Sequence, residues 1–191
     1  LVGSEMCIRD RNWRSIFSEK LTANFSFGYD HYDYRNDESV EEAAAARLSF
    51  AINQWFGKVD FSYKLDNNHT LNFGLMSQFY NINSGTYEPL HESSLVKWDQ
   101  LQKDKALESA IYIGDQWEIT PKLSVNAGIR YSMFNLLGPR TYYTYQDGML
   151  PSSTTVVDSV SVGGGKVVKT YQGPEFRLSA RYAFNDDFSV K

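Results

Sequence analysis

The amino-acid sequence predicts an all-β fold: an antiparallel up-and-down meander of about seven to eight strands, forming part of a transmembrane outer-membrane β-barrel wall. Three observations lead there. Apolar and polar residues alternate with period two over long segments, tight turns and long connections alternate along the chain, and the strands are longer than those of soluble sheets.

The alternation begins with Leu21, Ala23, Phe25, Phe27 and Tyr29, interleaved with Thr22, Asn24, Ser26, Gly28 and Asp30. It continues in Val59, Phe61, Tyr63 and Leu65 against Lys58, Asp60, Ser62 and Lys64, and in Leu71, Phe73 and Leu75. It returns in Leu123, Val125, Ala127, Ile129 and Tyr131, and again in Phe176, Leu178, Ala180, Tyr182 and Phe184. Successive side chains of a strand point to opposite faces, so each segment carries one apolar and one polar face. Segment 107–119 is mixed, because Ala110, Ile111, Tyr112, Ile113 and Trp117 put apolar groups on both faces. Helical patterning is confined to 39–48, where Ser39 and Glu42 have capping-box spacing ahead of an Ala run and predict a short helix in a loop.

Strands are expected at about 12–17, 21–34, 55–65, 69–80, 107–119, 122–134 and 174–184, with an eighth opening at 188. Tight turns rich in Asn, Asp, Ser and Pro join them at 17–21, 65–71, 119–123 and 184–188. Long polar connections are expected at about 31–54, 80–106 and 135–172. Short turns on one rim and large loops on the other are the asymmetry of outer-membrane barrels. A soluble sandwich would bury Phe25, Phe27, Phe61, Tyr63, Phe73 and Tyr131 in a core. A membrane barrel points them at lipid and leaves Asp60, Lys64, Arg130, Arg177 and Arg181 in a wet lumen. Strand length, loop asymmetry and the charged inner faces favour the barrel.

Composition narrows the function classes. The 191 residues carry 19 Lys+Arg and 23 Asp+Glu, a net charge of −4 with no long basic run, which argues against a nucleic-acid partner. Hydrophobic residues at 42% and aromatics at 15% argue against disorder. No apolar run reaches the roughly 18–20 residues of a membrane helix, a test that alternating strands escape. Cys7 is the only cysteine, so neither a disulfide framework nor a Cys-based metal site is expected. Residues 1–11, Leu-Val-Gly-Ser-Glu-Met-Cys-Ile-Arg-Asp-Arg, resemble a translated sequencing adapter, and their charges cancel. The expected native domain is therefore 12–191, a partial barrel.

Three hairpins carry a family resemblance. Gly57-Lys-Val-Asp-Phe-Ser-Tyr-Lys-Leu-Asp-Asn-Asn-His-Thr-Leu-Asn-Phe-Gly74 resembles a hairpin of TonB-dependent outer-membrane receptors, especially the Bacteroidetes type. Residues 112–132 are similar to the family's recurrent barrel hairpin, with Asp115, Trp117, Gly128, Arg130 and Tyr131 in the expected places. Residues 173–191 resemble the hairpin that follows a surface loop, although Phe176 stands where the family more often has Pro. The resemblance implies a large barrel of about 22 strands with a plugged lumen. It implies a fragment of an energy-coupled importer of a scarce or bulky ligand, such as a siderophore, cobalamin or oligosaccharide. The implied partners are outer-membrane lipid, the ligand, and a TonB-type energy-coupling protein acting through the missing plug region.

No enzyme and no cofactor are expected. His31, His69 and His91 are scattered, and Glu88, His91 and Glu92 read as a solvated loop rather than a metal site. Asp186-Asp187 read as turn formers, and Gly163-Gly-Gly165 as a flexible loop. The candidate ligand-binding residues are Tyr142, Tyr143 and Tyr145, with Trp98 and Tyr87. Each has a competing reading in the interfacial aromatic girdle. Arg130, Arg177 and Arg181 face the lumen, where they could contact an acidic ligand or plug carboxylates, although such residues more often pair across strands within the wall. Two alternatives stay open: a small closed eight-stranded barrel with a structural or adhesion role, and a soluble carbohydrate-binding β-sandwich.

Overall fold

A computed structural model of the chain describes residues 2–185 and 188–190. The first four strands are β1 (Val2–Ile16), β2 (Leu21–Glu38), β3 (Ala46–Lys64) and β4 (His69–Pro89). A two-residue β5 (Asp99–Gln100) precedes β6 (Asp104–Thr120) and β7 (Leu123–Leu137). Then come β8 (Arg140–Tyr145), β9 (Val156–Val162), β10 (Val167–Ala183) and the short β11 (Ser189–Val190). The main sheet runs β1-β2-β3-β4-β6-β7-β10-β11, with β5 added on β4, and every pairing is antiparallel. β8 and β9 form a separate two-stranded hairpin. This is the up-and-down meander, and it forms part of a barrel wall.

The sheet is a single layer. Among the described residues the buried apolar side chains are all alanines (Ala23, Ala45, Ala46, Ala106 and Ala110), so no sandwich core forms. Nor do the described residues close into an eight-stranded barrel, because the strand path ends on β1 and β11.

Register explains the exposed aromatics. Ala23, Phe61, Phe73, Ile113, Ile129 and Phe176 form one cross-strand row. Phe25, Val59, Leu75, Ile111, Tyr131 and Pro174 form the next. Phe61 and Phe73 stack with centroids 5.2 Å apart. The apolar runs on this face (21–29, 55–65, 71–79, 107–117, 123–133 and 174–184) each match the roughly 9–11 residues that cross a bilayer at a tilt. Rings mark both ends of the band: Tyr29 lies 4.5 Å from Trp55 at one end, and His69 stacks 5.3 Å from Trp117 at the other. On the opposite face, Lys58, Asp60, Asn72, Tyr112, Arg130, Glu175 and Arg177 follow the same registers. The apolar face is the outer face and the polar one lines the lumen.

The large connections are shorter than their polarity suggests. Segments 31–38 and 46–54 continue β2 and β3, paired from His31↔Asn53 to Glu38↔Ala46. Likewise 81–89 extend β4, 104–106 open β6, and 135–137 and 167–172 pair across β7 and β10. Polar residues pair as readily as apolar ones once a strand leaves the lipid, and here a bidentate ion pair reinforces them. The Arg47 guanidinium donates to both Asp37 oxygens at 2.7 and 2.9 Å, holding that carboxyl below its ordinary range. β4, at 21 residues, spans about 70 Å at about 3.3 Å per residue, far more than a band roughly 25 Å tall requires.

The short helix is a single 3-10 turn at Glu42–Ala44, with Glu41 as N-cap and no side-chain capping bond. The Ala-rich segment turns into β3 immediately afterwards, so Ser39 and Glu42 form no capping box. β1 also starts earlier than expected. Residues 2–11 pair with β2 from Val2↔Asn36 to Arg11↔Phe27, because the open edge of β2 offers a ladder that any proline-free segment can join. Asp186 and Asp187 lie outside the described residues; around them Phe184 N–H donates to Phe188 O at 2.9 Å.

The tight turn after β3 is set by Asp66, whose carboxylate accepts the backbone N–H groups of Asn68 and His69, both at 2.8 Å. These bonds lower its pKa from 3.8. A lowered folded-state pKa contributes stability above the unfolded value, and that contribution disappears as pH falls through the folded value. Asp66→Ala is expected to unfold at lower denaturant than the parent at neutral pH. The gap should close below about pH 4, as read from denaturant midpoints across pH.

Candidate functional site

The lumen face begins near the tight turns as a charged network. Arg130 on β7 lies 3.6 Å from Glu108 on β6 and 3.7 Å from Glu175 on β10, and it donates to Ser132 Oγ at 3.0 Å. Glu175 also meets Arg177 at 3.7 Å, and Lys58 meets Asp60 at 2.9 Å. Tyr112 donates a short hydrogen bond to Asp60. Arg130 and Arg177 therefore pair within the wall, as residues on neighbouring strands facing water do.

Two aromatic–glycine pairs shape this face. Tyr112 pairs with Gly74 and lies so close that a Cβ on Gly74 would sit 2.6 Å from its hydroxyl and against the Val59 carbonyl. Phe56 covers Gly28 in the same way on β3 and β2. Gly114 and Gly128 pair with each other, and no ring covers them. A groove of about 480 Å³ lies over this bare backbone, between Lys58, Asn72, Asn126 and Arg177.

Further from the tight turns the two faces exchange character. On the lumen face stand Tyr32 and Tyr34 of β2, Phe50 and Ile52 of β3, Tyr80 and Ile82 of β4, Phe134 and Leu136 of β7, and Tyr171 of β10. On the outer face at this level stand His31, Asp33, Asn53, Asn81, Lys105, Asn135 and Thr170. Above the band the outer surface meets water and becomes polar, while the inner wall becomes apolar and aromatic. Of this set Tyr32, Ile52, Phe134 and Tyr171 are exposed, and the others are half-buried. The buried Ala106 lies opposite Tyr80 on one side and Leu136 on the other.

The sequence-derived candidates divide by position. Tyr87 pairs with Leu48, beyond a bulge that keeps it on the inner face with Phe50. Tyr142, Tyr143 and Tyr145 lie on β8, outside the main sheet, so no strand of the wall carries them. Arg140, at the base of that hairpin, pairs with Asp104, and Asp104 accepts from Ser84 Oγ at 3.0 Å; both partners are inner-face residues. The Arg140 guanidinium also lies 5.3 Å from the Tyr142 ring centroid, so Tyr142 shares the face that docks on the wall. Tyr143, the next residue, points to the other side, and a register shift separates Thr144 from Tyr145. Trp98 is exposed in the connection between β4 and β5. That connection is tied to the 3-10 turn by Leu90 N–H to Ala45 O and Leu95 N–H to Ala43 O.

The histidines do not converge. His31 Nδ1 lies 2.8 Å from Asn53 Oδ1, and His69 Nδ1 lies 2.6 Å from Asp115 Oδ2. Among the described residues no group of three His, Cys, Asp or Glu is placed to hold a metal ion. Sequence reasoning missed the inner aromatic wall because 31–54 and 80–106 read as loops. The available signal was the phase change within β2, from Phe27 and Tyr29 on odd positions to Tyr32 and Tyr34 on even ones.

No family model and no curated protein matches the chain. Among solved structures it is similar to the copper transporter OprC, with a TM-score of 0.63 at 11% identity over 97% of this chain and 28% of that one. It is also similar to the ferric-catecholate import receptor Fiu from E. coli K12. The open form gives 0.56 at 11% identity over 97% and 34% of the two chains; the closed form gives 0.56 at 12% over 97% and 31%. The chain thus spans about a third of the length of these proteins, and the likeness is one of fold.

Gly74→Ala is expected to displace the Tyr112 ring, break its bond to Asp60 and destabilise the wall by about 1–3 kcal/mol. Urea unfolding of the inserted protein measures this, and Gly57→Ala, where a Cβ meets no atom within 4 Å, serves as the matched control.

Proposed function

We propose that this chain is a section of the barrel wall of a TonB-dependent outer-membrane receptor, active in energy-coupled import of a scarce or bulky ligand. The observation that carries this reading is the pairing of two features. Outer apolar runs have bilayer-crossing length, and the strands continue beyond them with an aromatic inner wall. A membrane-spanning wall that opens into an apolar-lined mouth suits capture of a ligand from outside. The fold likeness to a copper transporter and a ferric-catecholate import receptor supports a transport role rather than an enzymatic one.

In this reading the chain sits in the outer membrane, and its lipid partner covers the rows from Ala23 to Phe176 and from Phe25 to Pro174. A plug region and the energy-coupling protein act from parts of the receptor beyond these residues. Tyr142, Tyr143, Tyr145, Trp98 and Tyr87 remain the loop and rim candidates for ligand contact. The inner-face position of Tyr87, and the place of Tyr142 beside Arg140 on its hairpin, favour those two.

Residues 1–11 are foreign to the barrel in this reading, and 12–191 are its native part. The register supports that division: it sets Arg11 opposite Phe27 and Arg9 opposite Tyr29, on the face that meets lipid. Arginine on the lipid face costs about 2–4 kcal/mol at mid-depth and less towards the interface.

Three outcomes are expected. Sequencing the parent locus through both ends should replace residues 1–11 with a different strand and add a plug-encoding region. An open frame that reads residues 1–11 behind its own signal peptide would oppose this. Ile113→Arg, in the middle of the outer band, should lower the stability of the inserted protein by about 2–4 kcal/mol, whereas Arg at Asn81 above it should cost about 1 kcal/mol or less. Uptake by cells carrying the full receptor should stop when the inner-membrane proton gradient is collapsed; gradient-independent uptake would sink the energy-coupled reading.

A further inference from the structure

A second cavity lies at the rim above the band, apart from the inner wall and the lumen groove. It measures about 350 Å³ and opens where the β8–β9 hairpin leaves the wall. Gln102, Lys103 and Lys105 border it on one side, and Arg140, Thr141 and Ser161 on the other. Three cations therefore line it, and no carboxylate does. Arg140 is already engaged, because it pairs with Asp104, whose carboxylate also accepts from Ser84 Oγ at 3.0 Å. Lys103 and Lys105 flank Asp104 in sequence, yet neither forms an ion pair among the described residues. The cavity thus carries two uncompensated ammonium groups.

The polar groups beside them present donors. Thr141 N–H donates to Gln102 Oε1 at 3.2 Å, which leaves the Gln102 Nε2 amide as the free end of that side chain. Thr141 Oγ1 and Ser161 Oγ lie 3.0 Å apart, so one hydroxyl proton serves that bond and the other remains to be donated. Ammonium, amide and hydroxyl donors around two positive charges suit an oxyanion with several acceptor oxygens and a double negative charge. A phosphate monoester has both, with a charge of about −1.5 to −2 near neutral pH. Lysine binds such a group through short charge-assisted bonds. A carboxylate brings one charge and leaves a lysine unmatched.

Depth selects the carrier. Leu107 ends the outer apolar run of β6, and Lys105 is the next outer-face residue, about 7 Å further along the strand. That is the level of lipid headgroups above the hydrocarbon. We propose that this rim cavity binds a phosphate monoester borne by a lipid headgroup of the outer leaflet, through Lys103 and Lys105. The lipid as carrier rests on the barrel reading, whereas the cavity and its charges stand without it.

The test uses the full receptor in detergent micelles, with lipids added and the bound lipid counted by native mass spectrometry. Phosphatidic acid (a monoester), phosphatidylglycerol (a diester) and phosphatidylcholine are compared with the same acyl chains. Phosphatidic acid is expected to bind at least about tenfold tighter than the other two. Lys103→Gln with Lys105→Gln should remove that preference, and Lys103→Arg with Lys105→Arg, which keeps both charges, should retain it. Lys20→Gln with Lys122→Gln, in the tight turns of the opposite rim, removes the same charge and should change the preference by no more than about twofold. Equal binding of phosphatidylglycerol, or a preference that survives the paired Gln substitutions, overturns the inference. Inorganic phosphate that displaces phosphatidic acid at equal concentration overturns the lipid as carrier and makes the site one for free phosphate. Reconstitution into vesicles is scored separately. Receptor that stays out of the bilayer fails the barrel reading and the lipid carrier with it, while receptor that inserts without preferring phosphatidic acid fails this inference alone.

Discussion

Everything in this chain follows from the need to close backbone hydrogen bonds inside the sheet wherever the outside is hydrocarbon. That need makes the strands continuous across the apolar band and forbids breaks there, so the register is uninterrupted from Leu21↔Tyr63 to Tyr29↔Trp55. It also confines irregularity to the ends. The bulges between β3 and β4 and between β7 and β10 fall beyond the band on the side of the large connections, and the one between β6 and β7 falls beside a tight turn. With pairing fixed, side chains fall on two faces by geometry alone, and the sequence has only to choose what each face meets.

Those choices differ along the strand because the surroundings differ. Within the band, hydrocarbon outside selects Phe61, Phe73, Ile113 and Ile129, and water inside selects Lys58, Asp60, Arg130 and Arg177. Beyond it water lies on both sides, so the outer face can be Asn53, Asn81 and Lys105. There the inner face is free to be apolar, and Tyr34, Phe50, Ile82 and Phe134 occupy it. The rings over Gly28 and Gly74 lie below it, on the lumen side of the band, where a side chain on one strand fills space that its neighbour gives up.

Much of the fold was legible because period two is a strong signal when it persists. The segments at 21–29 and 123–131 fall within observed strands, those at 59–65 and 176–184 overrun β3 and β10 by one residue each, and the turns at 17–21, 65–71 and 119–123 fall where Ser18, Asp66 and Thr120 supply turn chemistry. The strand extensions were not legible. Polarity reports solvent rather than conformation, so Asp33-Tyr-Arg-Asn-Asp37 reads as a loop whether or not its backbone is paired. The mixed pattern at 107–119 had a simple cause: Ile111 and Ile113 face lipid while Ala110 and Tyr112 sit against Met76 and Gly74 on the inside. For the site, a cluster of tyrosines at 142–145 was visible as composition. Its division between two faces, and the docking of Arg140 on Asp104, depend on tertiary placement that no local pattern encodes.

The exchange of faces above the band has a consequence for how such a surface changes over generations. The outside of the extended strands carries Asn53, Asn81 and Lys105, and the inside, one residue along, carries Ile52, Ile82 and Leu136. Because adjacent residues of a strand never share a side, substitutions that change one surface and substitutions that change the other fall on alternate codons. Either surface can drift while its neighbour is held.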